Sequence, residues 1–436
     1  MSVVVCQFGQ CGNQLAFEFF NGIYYDINHK NSSSRIRSNF SYKSSHRFFR
    51  DANEGQLPVA RAVMVDTEPK VIREVQRRSS KGGMWKYPDG ATFMRREGAA
   101  NNWAKGYLKH GEEATETILN LIRQEVESCD WLTGFVPIMS LAGGTGSGLG
   151  ARVVVGIRDS YPRASIIPQV IWPYLDGEVT IQSYNCVLSL SHLVDASDLV
   201  VTFENDILHR ICNRQMAIKN VSFNDINAVA ARQMLCLMQP SETFEGTETN
   251  LADLLAHLAG HPQYKLCQLN SVPEEPVSSL PYCSTTWPAL FRSLRRTVVF
   301  KHPTNEGTDQ FTEECPRKVK FLSNLLILRG KEALAADKSL FQEPQVEYVS
   351  WIPPAAHLKV WYNQQPIQGR DKTALLCSNG MGCIPVLDAT VSKAWTMFTA
   401  KAYLHHYNQY GFTNEDFVNS FIKVEQILAS YRSLNC

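Results

Sequence analysis

The sequence predicts an α/β fold with a mostly parallel sheet and helices on both faces. In residues 1–205, short apolar runs alternate with stretches in which apolar residues recur at helical spacing. Polar residues able to bind a ligand follow the end of each predicted strand, and in parallel sheets ligands bind beyond the carboxyl ends of the strands. In residues 389–431 only helical periodicity is found, which indicates a helical carboxy-terminal region.

The amino-terminal elements alternate in the order that such a sheet requires. We expect strands at residues 3–6, 60–65, 135–141, 165–172 and 198–203, and helices at residues 14–24, 115–128 and 149–161. Residues 30–50 are polar and basic and are predicted to form a surface loop. The polar groups that follow the strands would then gather at one edge of the sheet.

A glycine-rich loop, LAGGTGSGLG at 141–150, joins a predicted buried strand to a predicted helix. Glycines let backbone N–H groups approach an anion closely, and a helix amino terminus adds positive potential. Thr145 and Ser147 add hydroxyl donors, so the segment predicts phosphate binding. Its spacing fits neither a P-loop, because no lysine follows the last glycine, nor the dinucleotide fingerprint G-x-G-x-x-G. A plain flexible turn therefore remains an alternative at this point.

Composition narrows the class of protein. The 436 residues carry 43 Lys+Arg against 42 Asp+Glu, a net charge of +1, which argues against nucleic acid as a partner bound through net charge. No apolar run reaches the length of a membrane span, and the first residues lack the pattern of a secretion signal. The twelve cysteines include no C-x-x-C pair, which favours a reducing, cytoplasmic compartment over structural zinc or disulfides.

The second half of the chain predicts a long helix and then further strands. Ser222 or Asn224 would cap the helix, which would end at Pro240. We expect strands at 297–300, 324–329, 357–361 and 374–377, and helices at 389–410 and 414–431, the last of them capped by Asn414. A chain of this length is expected to hold more than one domain.

Three motifs in order resemble the tubulin family: GQCGNQ at 9–14, NNWAKG at 101–106 and GGTGSG at 143–148. The resemblance covers essentially the whole chain. Ala142 stands where alpha- and beta-tubulins usually have glycine, and together with IWPY at 171–174 and LILRG at 326–330 it makes the delta-type branch the most similar. The resemblance implies a Rossmann-like GTPase domain at 1–205, a core helix and intermediate α/β domain at 206–380 and carboxy-terminal helices at 381–436.

The resemblance also implies a site for GTP or GDP with Mg²⁺. Gln10 and Cys11 would lie under the phosphates, and Asn101 would approach the terminal phosphate. The phosphates would be cradled by Ser140, Ala142, Gly143, Gly144, Thr145, Gly146, Ser147 and Gly148. Asp66 and Glu68 would organise Mg²⁺ through water, as hard carboxylates do.

The nucleoside would be held by residues farther along the chain. Glu178 falls where the family places an acid that contacts the ribose. Asn205 and Asn227 would read the guanine edge, since an amide offers both a donor and an acceptor, and Phe223 would stack on the base. Each assignment has an ordinary alternative: Asp66 and Glu68 as a solvated turn before Pro69, the asparagines and Gln10 as helix caps, and Phe223 as core.

One departure from the family concerns hydrolysis. In tubulin polymers the next subunit supplies an acid to the nucleotide, but the position where alpha-tubulin carries glutamate falls here on Ala256, followed by His257. Alanine cannot orient or deprotonate water, so no catalytic residue is expected and hydrolysis should be slow or dependent on a neighbour.

These observations together predict a GTP-binding structural protein. Its expected partners are other tubulins (alpha, beta and, as a further candidate, epsilon) and centriolar microtubules, at a cytoplasmic, cytoskeletal location in centrioles or basal bodies that supports cilia. Neither nucleic acid nor a membrane is expected as a partner. Two alternatives stay open: a GTP-binding regulator or chaperone that never enters a polymer, and a nucleotide-dependent oxidoreductase on the same type of sheet.

Overall fold

A computed structural model describes residues 2–28, 34–50, 56–177, 179–276, 278–279, 282, 285–299, 319–341 and 346–434. Its strands are β1 (Ser2–Phe8), β2 (Phe49–Arg50), β3 (Val59–Ala60), β4 (Ala62–Asp66), β5 (Thr92–Met94), β6 (Leu132–Ser140), β7 (Ser165–Ile166), β8 (Gln169–Trp172), β9 (Val200–Glu204), β10 (Leu266–Val272), β11 (Lys320–Gly330), β12 (Glu347–Tyr348), β13 (Leu358–Asn363) and β14 (Lys372–Gly380).

The α-helices alternate with these strands. They are α1 (Gly9–Asn28), α2 (Ser34–Phe48), α3 (Pro69–Gly82), α4 (Gly111–Glu127), α5 (Gly150–Ser160), α6 (Gln182–Ala196), α7 (Asn205–Arg210), α8 (Phe223–Met238), α9 (Leu251–Leu258), α10 (Trp287–Val299), α11 (Ile384–Thr399), α12 (His405–Asn408) and α13 (Asn414–Ser433). Single π turns at Lys105–His110 and Thr145–Leu149 lead into α4 and α5.

The main sheet has the order β12-β11-β14-β10-β9-β8-β6-β1-β4-β5. From β10 to β5 all neighbours are parallel, whereas β14 is antiparallel to both β10 and β11. The predicted α/β class with a parallel sheet, further strands and carboxy-terminal helices is therefore confirmed. The parallel arrangement places the carboxyl ends of β9, β8, β6, β1 and β4 at one edge.

Both faces of the sheet are covered by helices, so its strands are buried on two sides. One apolar cluster joins the sheet to α4, α5, α6, α11 and α13, and the other joins it to α1, α8 and α9. A third, smaller cluster packs α10 on β10, β11 and β14. Strands buried on both faces need near-continuous apolar runs, which is why the strands of the amino-terminal half were readable from the sequence.

Several sequence predictions were wrong in detail. The predicted loop at 30–50 contains α2 and β2, and the predicted strand at 297–300 lies in α10 as far as it is described, because Leu290, Leu294 and Val298 recur at helical spacing. The predicted strand at 165–172 is divided into β7 and β8. The cap of α13 is Thr413 rather than Asn414, since its side chain and Asp416 form a capping box.

Helix α2 was predicted as a surface loop because basic residues are usually solvated, whereas Arg47 is buried. The guanidinium of Arg47 is buried and donates hydrogen bonds to the carbonyl oxygens of Met238 (2.9 Å) and Thr249 (3.4 Å). Met238 is the last residue of α8, where carbonyl groups lack partners within the helix. The arginine therefore satisfies backbone acceptors that a surface loop would not reach.

Arg329 serves the same end of α8 from β11. Its fully buried guanidinium donates to the carbonyl oxygens of Cys236, Gln239 and Pro240 at distances from 2.7 to 3.0 Å.

The buried carboxyl group of Asp26 accepts from Gln239 Nε2 (3.1 Å) and from the backbone N–H of Gln368 (2.7 Å). Burial raises the pKa of Asp26 to about 7, against the lowering effect of these hydrogen bonds and of Arg329.

The raised pKa of Asp26 predicts a stability that falls as pH rises. Its carboxyl group ionises near pH 4 in the unfolded chain but only near 7 in the folded one, so the folded state binds the extra proton between these values. We expect Asp26 to contribute a loss on the order of 3 kcal/mol in the free energy of unfolding between pH 4 and 7. In Asp26→Asn this part of the slope should be absent, as measured by denaturant unfolding across that range. Equal slopes for the variant and the parent chain would contradict the assignment.

Among the described residues, no helix has both the length and the apolar character needed to cross a membrane.

Candidate nucleotide-binding site

The glycine-rich loop has two glycines near its start, Gly143 and Gly144, whose backbone N–H groups donate no hydrogen bond within the described part of the chain. A methyl group built on Gly143 would meet only Asn101 Oδ1, at 3.7 Å, so this position borders open space. Two free donors ahead of the α5 helix and its π turn form the kind of cradle that an anion occupies.

The ends of β1 and β4 abut this loop. Gly9, which directly follows β1, has a φ of +68°, and a methyl group on it would lie 3.0 Å from the backbone nitrogen of Gly146. The hydroxyl groups of Thr67 and Thr145 are 2.5 Å apart. These contacts bring together the segments that follow β1, β4 and β6. The polar residues after the strands were predicted to gather at one edge of the sheet in this way.

Asp66 and Glu68 stand beside the loop in different environments. Asp66 is buried, its Oδ1 accepts from the backbone N–H of Glu68 (3.2 Å), and its Oδ2 has no hydrogen-bond partner among the described residues. Burial raises the pKa of Asp66 to about 6 in spite of the backbone N–H groups of Glu68 and Thr67. Glu68 is exposed, and a methyl group on Gly98 would lie 2.5 Å from its Oε1. A buried carboxylate oxygen without a partner fits a hydrated cation.

The loop that carries Asn101 is held in a strained conformation. Ala100 and Asn101 both have positive φ, +50° and +53°, a region that non-glycine residues rarely occupy. This places Asn101 Oδ1 beside Gly143, where the terminal phosphate is expected. Gln10 is exposed and Cys11 half-buried at the start of α1, and burial raises the pKa of the Cys11 thiol to about 12, so it stays neutral.

The predicted base-reading residues lie along the same edge, two strands from the glycine loop. Asn205 begins α7 directly after β9, and its buried Oδ1 has no hydrogen-bond partner among the described residues. Asn227 is buried in the first turns of α8, which packs on α7. Phe223, the first residue of α8, is 59% exposed, with its ring 6.4 Å from that of Tyr174. The alternative in which Phe223 is a core residue is therefore wrong.

The remaining predicted site residues are Glu178, Ser140 and the other members of the glycine-rich loop. Glu178 lies outside the described residues. Ser140 Oγ accepts from the backbone N–H of Ala142 (3.2 Å), and the Gly148 N–H donates to Gly144 (2.9 Å). The buried hydroxyl of Ser147 donates to the carbonyl oxygen of Gly143, so it shapes the loop and is not a free donor for phosphate. The cap predicted for α8 is confirmed as Ser222.

Sequence reasoning missed the residue that holds the site together, Asn185 near the start of α6. Its buried Nδ2 donates to the carbonyl oxygens of Asn101 (2.7 Å) and Ala142 (2.6 Å). Its Oδ1 accepts from the backbone N–H of Trp103 (3.1 Å) and from the hydroxyl of Tyr407 (2.7 Å). One side chain therefore joins the Asn101 loop, the glycine-rich loop and α12. No signal in the sequence pointed to this role, because α6 contains several other polar residues, among them Gln182, Ser189 and His192.

The segment expected to act on a neighbour's nucleotide forms α9. Asn250 caps it in a capping box with Asp253, so the Asp253 carboxylate is engaged at the helix start. Ala256 is exposed, whereas His257 is buried, with Nε2 2.8 Å from the carbonyl oxygen of Asn324. The surface of α9 at this point presents a methyl group, and His257 points away from it.

Comparison with known proteins identifies the group to which these features belong. Residues 2–213 match the model described as Tubulin/FtsZ family, GTPase domain. The chain is 41% identical to the tubulin delta chain of Homo sapiens and 42% identical to that of Canis lupus familiaris, over 100% of both chains in each case. It is 28% identical to the tubulin beta-1 chain of Chondrus crispus, over 99% of this chain and 93% of that one. The predicted similarity to delta-type tubulins is confirmed, and the chain belongs to the tubulin family.

Proposed function

We propose that this chain is a GTP-binding structural protein of the delta type, which assembles with other tubulins. The observation that carries the proposal is the set of unused polar groups along one sheet edge. The N–H groups of Gly143 and Gly144, the Oδ2 of Asp66 and the Oδ1 of Asn205 all lack partners within the described structure. The oxygens of Asp66 and Asn205 are buried, and buried polar groups are normally satisfied, so a bound ligand accounts for these two and would also use the two glycine N–H groups.

The spacing of these groups suits a nucleotide. Strands lie about 4.8 Å apart, so Asn205 after β9 and the glycine-rich loop after β6 are separated by about 10 Å along the edge. Gly143 and Gly144 would bind phosphate through N–H groups, and Asn205 and Asn227 would hydrogen-bond the guanine edge, with Phe223 against its face. Glu178 would contact the ribose. A Mg²⁺ ion near Asp66 and Glu68 would neutralise phosphate charge.

Nucleotide extraction tests this proposal directly. The purified chain should release GTP or GDP on acid denaturation, detected by chromatography, in roughly equimolar amount. Asn205→Ala should reduce the guanine nucleotide retained, because the Asn205 amide would read the base. Retention of an adenine or nicotinamide nucleotide instead would support the oxidoreductase alternative.

The expected setting is a centriole or basal body, where the chain would contact alpha- and beta-tubulin, epsilon-tubulin or the centriolar microtubule wall and support cilium formation. The full-length similarity to tubulin delta chains supports this setting. Localisation of a tagged chain expressed from its own locus tests it. A diffuse cytoplasmic distribution, without sedimentation with microtubules, would favour the alternative of a GTP-binding regulator that does not polymerise. The exposed Ala256 favours that alternative in one respect, because it offers no acid to a neighbour.

Ala256→Glu is expected to raise GTP hydrolysis on a co-assembled partner tubulin. The position is exposed on α9, and a carboxylate there could orient water in the neighbour's site. General-base catalysis typically contributes 10²–10⁴-fold, so an increase of about tenfold or more is expected in phosphate-release assays. Ala252→Glu is the matched control, since it adds the same charge about 6 Å earlier on the helix. Equal rates for both variants would contradict the role assigned to position 256.

A further inference from the structure

Like α2, which carries four cations and no acid, helix α3 is strongly basic. Its fourteen residues include five cations, Lys70, Arg73, Arg77, Arg78 and Lys81, against the single acid Glu74. The helix therefore has a net charge of +4, whereas the whole chain has +1, which leaves −3 for everything else. Such a concentration of charge on a helix attracts a partner of opposite charge.

Four of these cations form a stripe on the most exposed face of the helix. Lys70, Arg73, Arg77 and Lys81 follow the spacing of three, four and four residues that aligns side chains on an α-helix, and all four are exposed. The buried residues of α3 are Ile72, Val75 and Ser79. At 3.6 residues per turn, the cationic stripe points about 170° away from that buried face.

The stripe is only partly neutralised within the molecule. Arg77 pairs with Glu74 (2.6 Å), and Arg78, beside the stripe, pairs with Glu18 (3.3 Å) and lies over the ring of Phe17. In the described part of the structure, Lys70, Arg73 and Lys81 form no ion pair. Three cations on one line are thus left to solvent.

We propose that the stripe of α3 binds a short acidic segment of another protein in extended conformation. From residue 70 to residue 81 the helix rises about 17 Å, a length that an extended peptide covers with about five or six residues. Alternate side chains of such a peptide stand about 6.6 Å apart, close to the rise of about 4.5–6 Å between successive cations. A run of glutamates can therefore place one carboxylate opposite each cation.

A protein segment fits this surface better than nucleic acid. The stripe offers no aromatic ring for base stacking, because α3 contains no Phe, Tyr or Trp. The net charge of +1 also argues against nucleic acid, which is bound mainly through an excess of basic charge. This binding does not depend on the proposed nucleotide site.

The test measures binding of fluorescein-labelled octaglutamate to the full chain by fluorescence anisotropy. Arg73→Glu with Lys81→Glu should weaken binding at least tenfold, and Arg73→Gln with Lys81→Gln should weaken it less. The matched control is Arg292→Glu with Arg296→Glu, which makes the same charge change on the exposed face of α10 and should stay within twofold of the parent chain. Affinity of the parent chain should also fall as salt rises from about 50 to 200 mM.

Three outcomes would overturn the proposal. One is equal weakening by the α3 and α10 pairs, which would show a response to net charge alone. Another is no measurable binding of the peptide by the parent chain at low salt. The third is tighter binding of a DNA or RNA duplex that the α3 variants abolish, which would assign the stripe to nucleic acid. Since glutamine and arginine have similar helix propensities, the glutamine variants keep the test valid if charge reversal disturbs folding.

Discussion

Asn185→Ala is expected to lower the free energy of unfolding by about 4 kcal/mol or more, the largest effect of any substitution considered. The substitution leaves the carbonyl oxygens of Asn101 and Ala142, the N–H of Trp103 and the hydroxyl of Tyr407 without their buried partner. Each buried polar group left unsatisfied costs about 1–3 kcal/mol, and the small cavity adds to this. Guanidinium chloride unfolding of the nucleotide-free chain measures the loss.

Two substitutions with smaller expected effects test whether the loss comes from the four hydrogen bonds of Asn185 together or from the removal of any buried polar group. Tyr407→Phe removes one of the four hydrogen bonds of Asn185 and should cost about 1 kcal/mol. Ser189→Ala removes a buried hydroxyl one turn along the same helix. This hydroxyl donates to the backbone carbonyl oxygens of Ser147 (3.2 Å) and Asn185 (2.7 Å), and its loss should also cost about 1 kcal/mol in the free energy of unfolding. If Asn185→Ala were no more harmful than Ser189→Ala, the connecting role of Asn185 would be refuted.

The parallel half of the sheet was predictable because its signals are local. β4, β6 and β9 are apolar runs that end at polar residues, and the capping box at Ser222 marks the start of α8 within four residues. α2 was not predictable, because Arg47 looks like a solvated cation until α8 and its unpaired carbonyl groups are placed beside it. The period of α10 was present in the sequence but was outweighed by its β-branched end, Thr297-Val-Val299.

The candidate site divides in the same way. The glycine-rich loop and the polar residues after each strand can be recognised in the sequence. The structure places Gly9, Thr67 and Asn101 next to that loop. The environment of Asp66 could not be read, since its burial and its unpartnered Oδ2 depend on segments distant in the chain. The same holds for Asn185, whose four partners come from three separate regions.

Adjacent glycines in the loop are expected to respond in opposite ways to the same added methyl group. On Gly144 it would lie 2.7 Å from the backbone nitrogen and oxygen of Asn102 and from Ala99 Cβ. Backbone atoms cannot move aside cheaply, so Gly144→Ala should cost about 1–3 kcal/mol in the free energy of unfolding and abolish nucleotide retention. On Gly143 the nearest atom is Asn101 Oδ1 at 3.7 Å, so Gly143→Ala should leave the stability of the nucleotide-free chain unchanged within about 0.5 kcal/mol.

The Gly143→Ala variant tests where phosphate binds, because it is expected to change the affinity for GTP without changing stability. If phosphate occupies the open space beside Gly143, a methyl group there keeps the anion from the N–H groups of Gly143 and Gly144, and GTP should bind at least tenfold more weakly, about 1.4 kcal/mol. Calorimetric titration of GTP into the parent chain and both variants, together with their unfolding curves, separates the two effects. A Gly143→Ala chain that is stable and binds GTP as tightly as the parent would show that phosphate does not lie against this part of the loop.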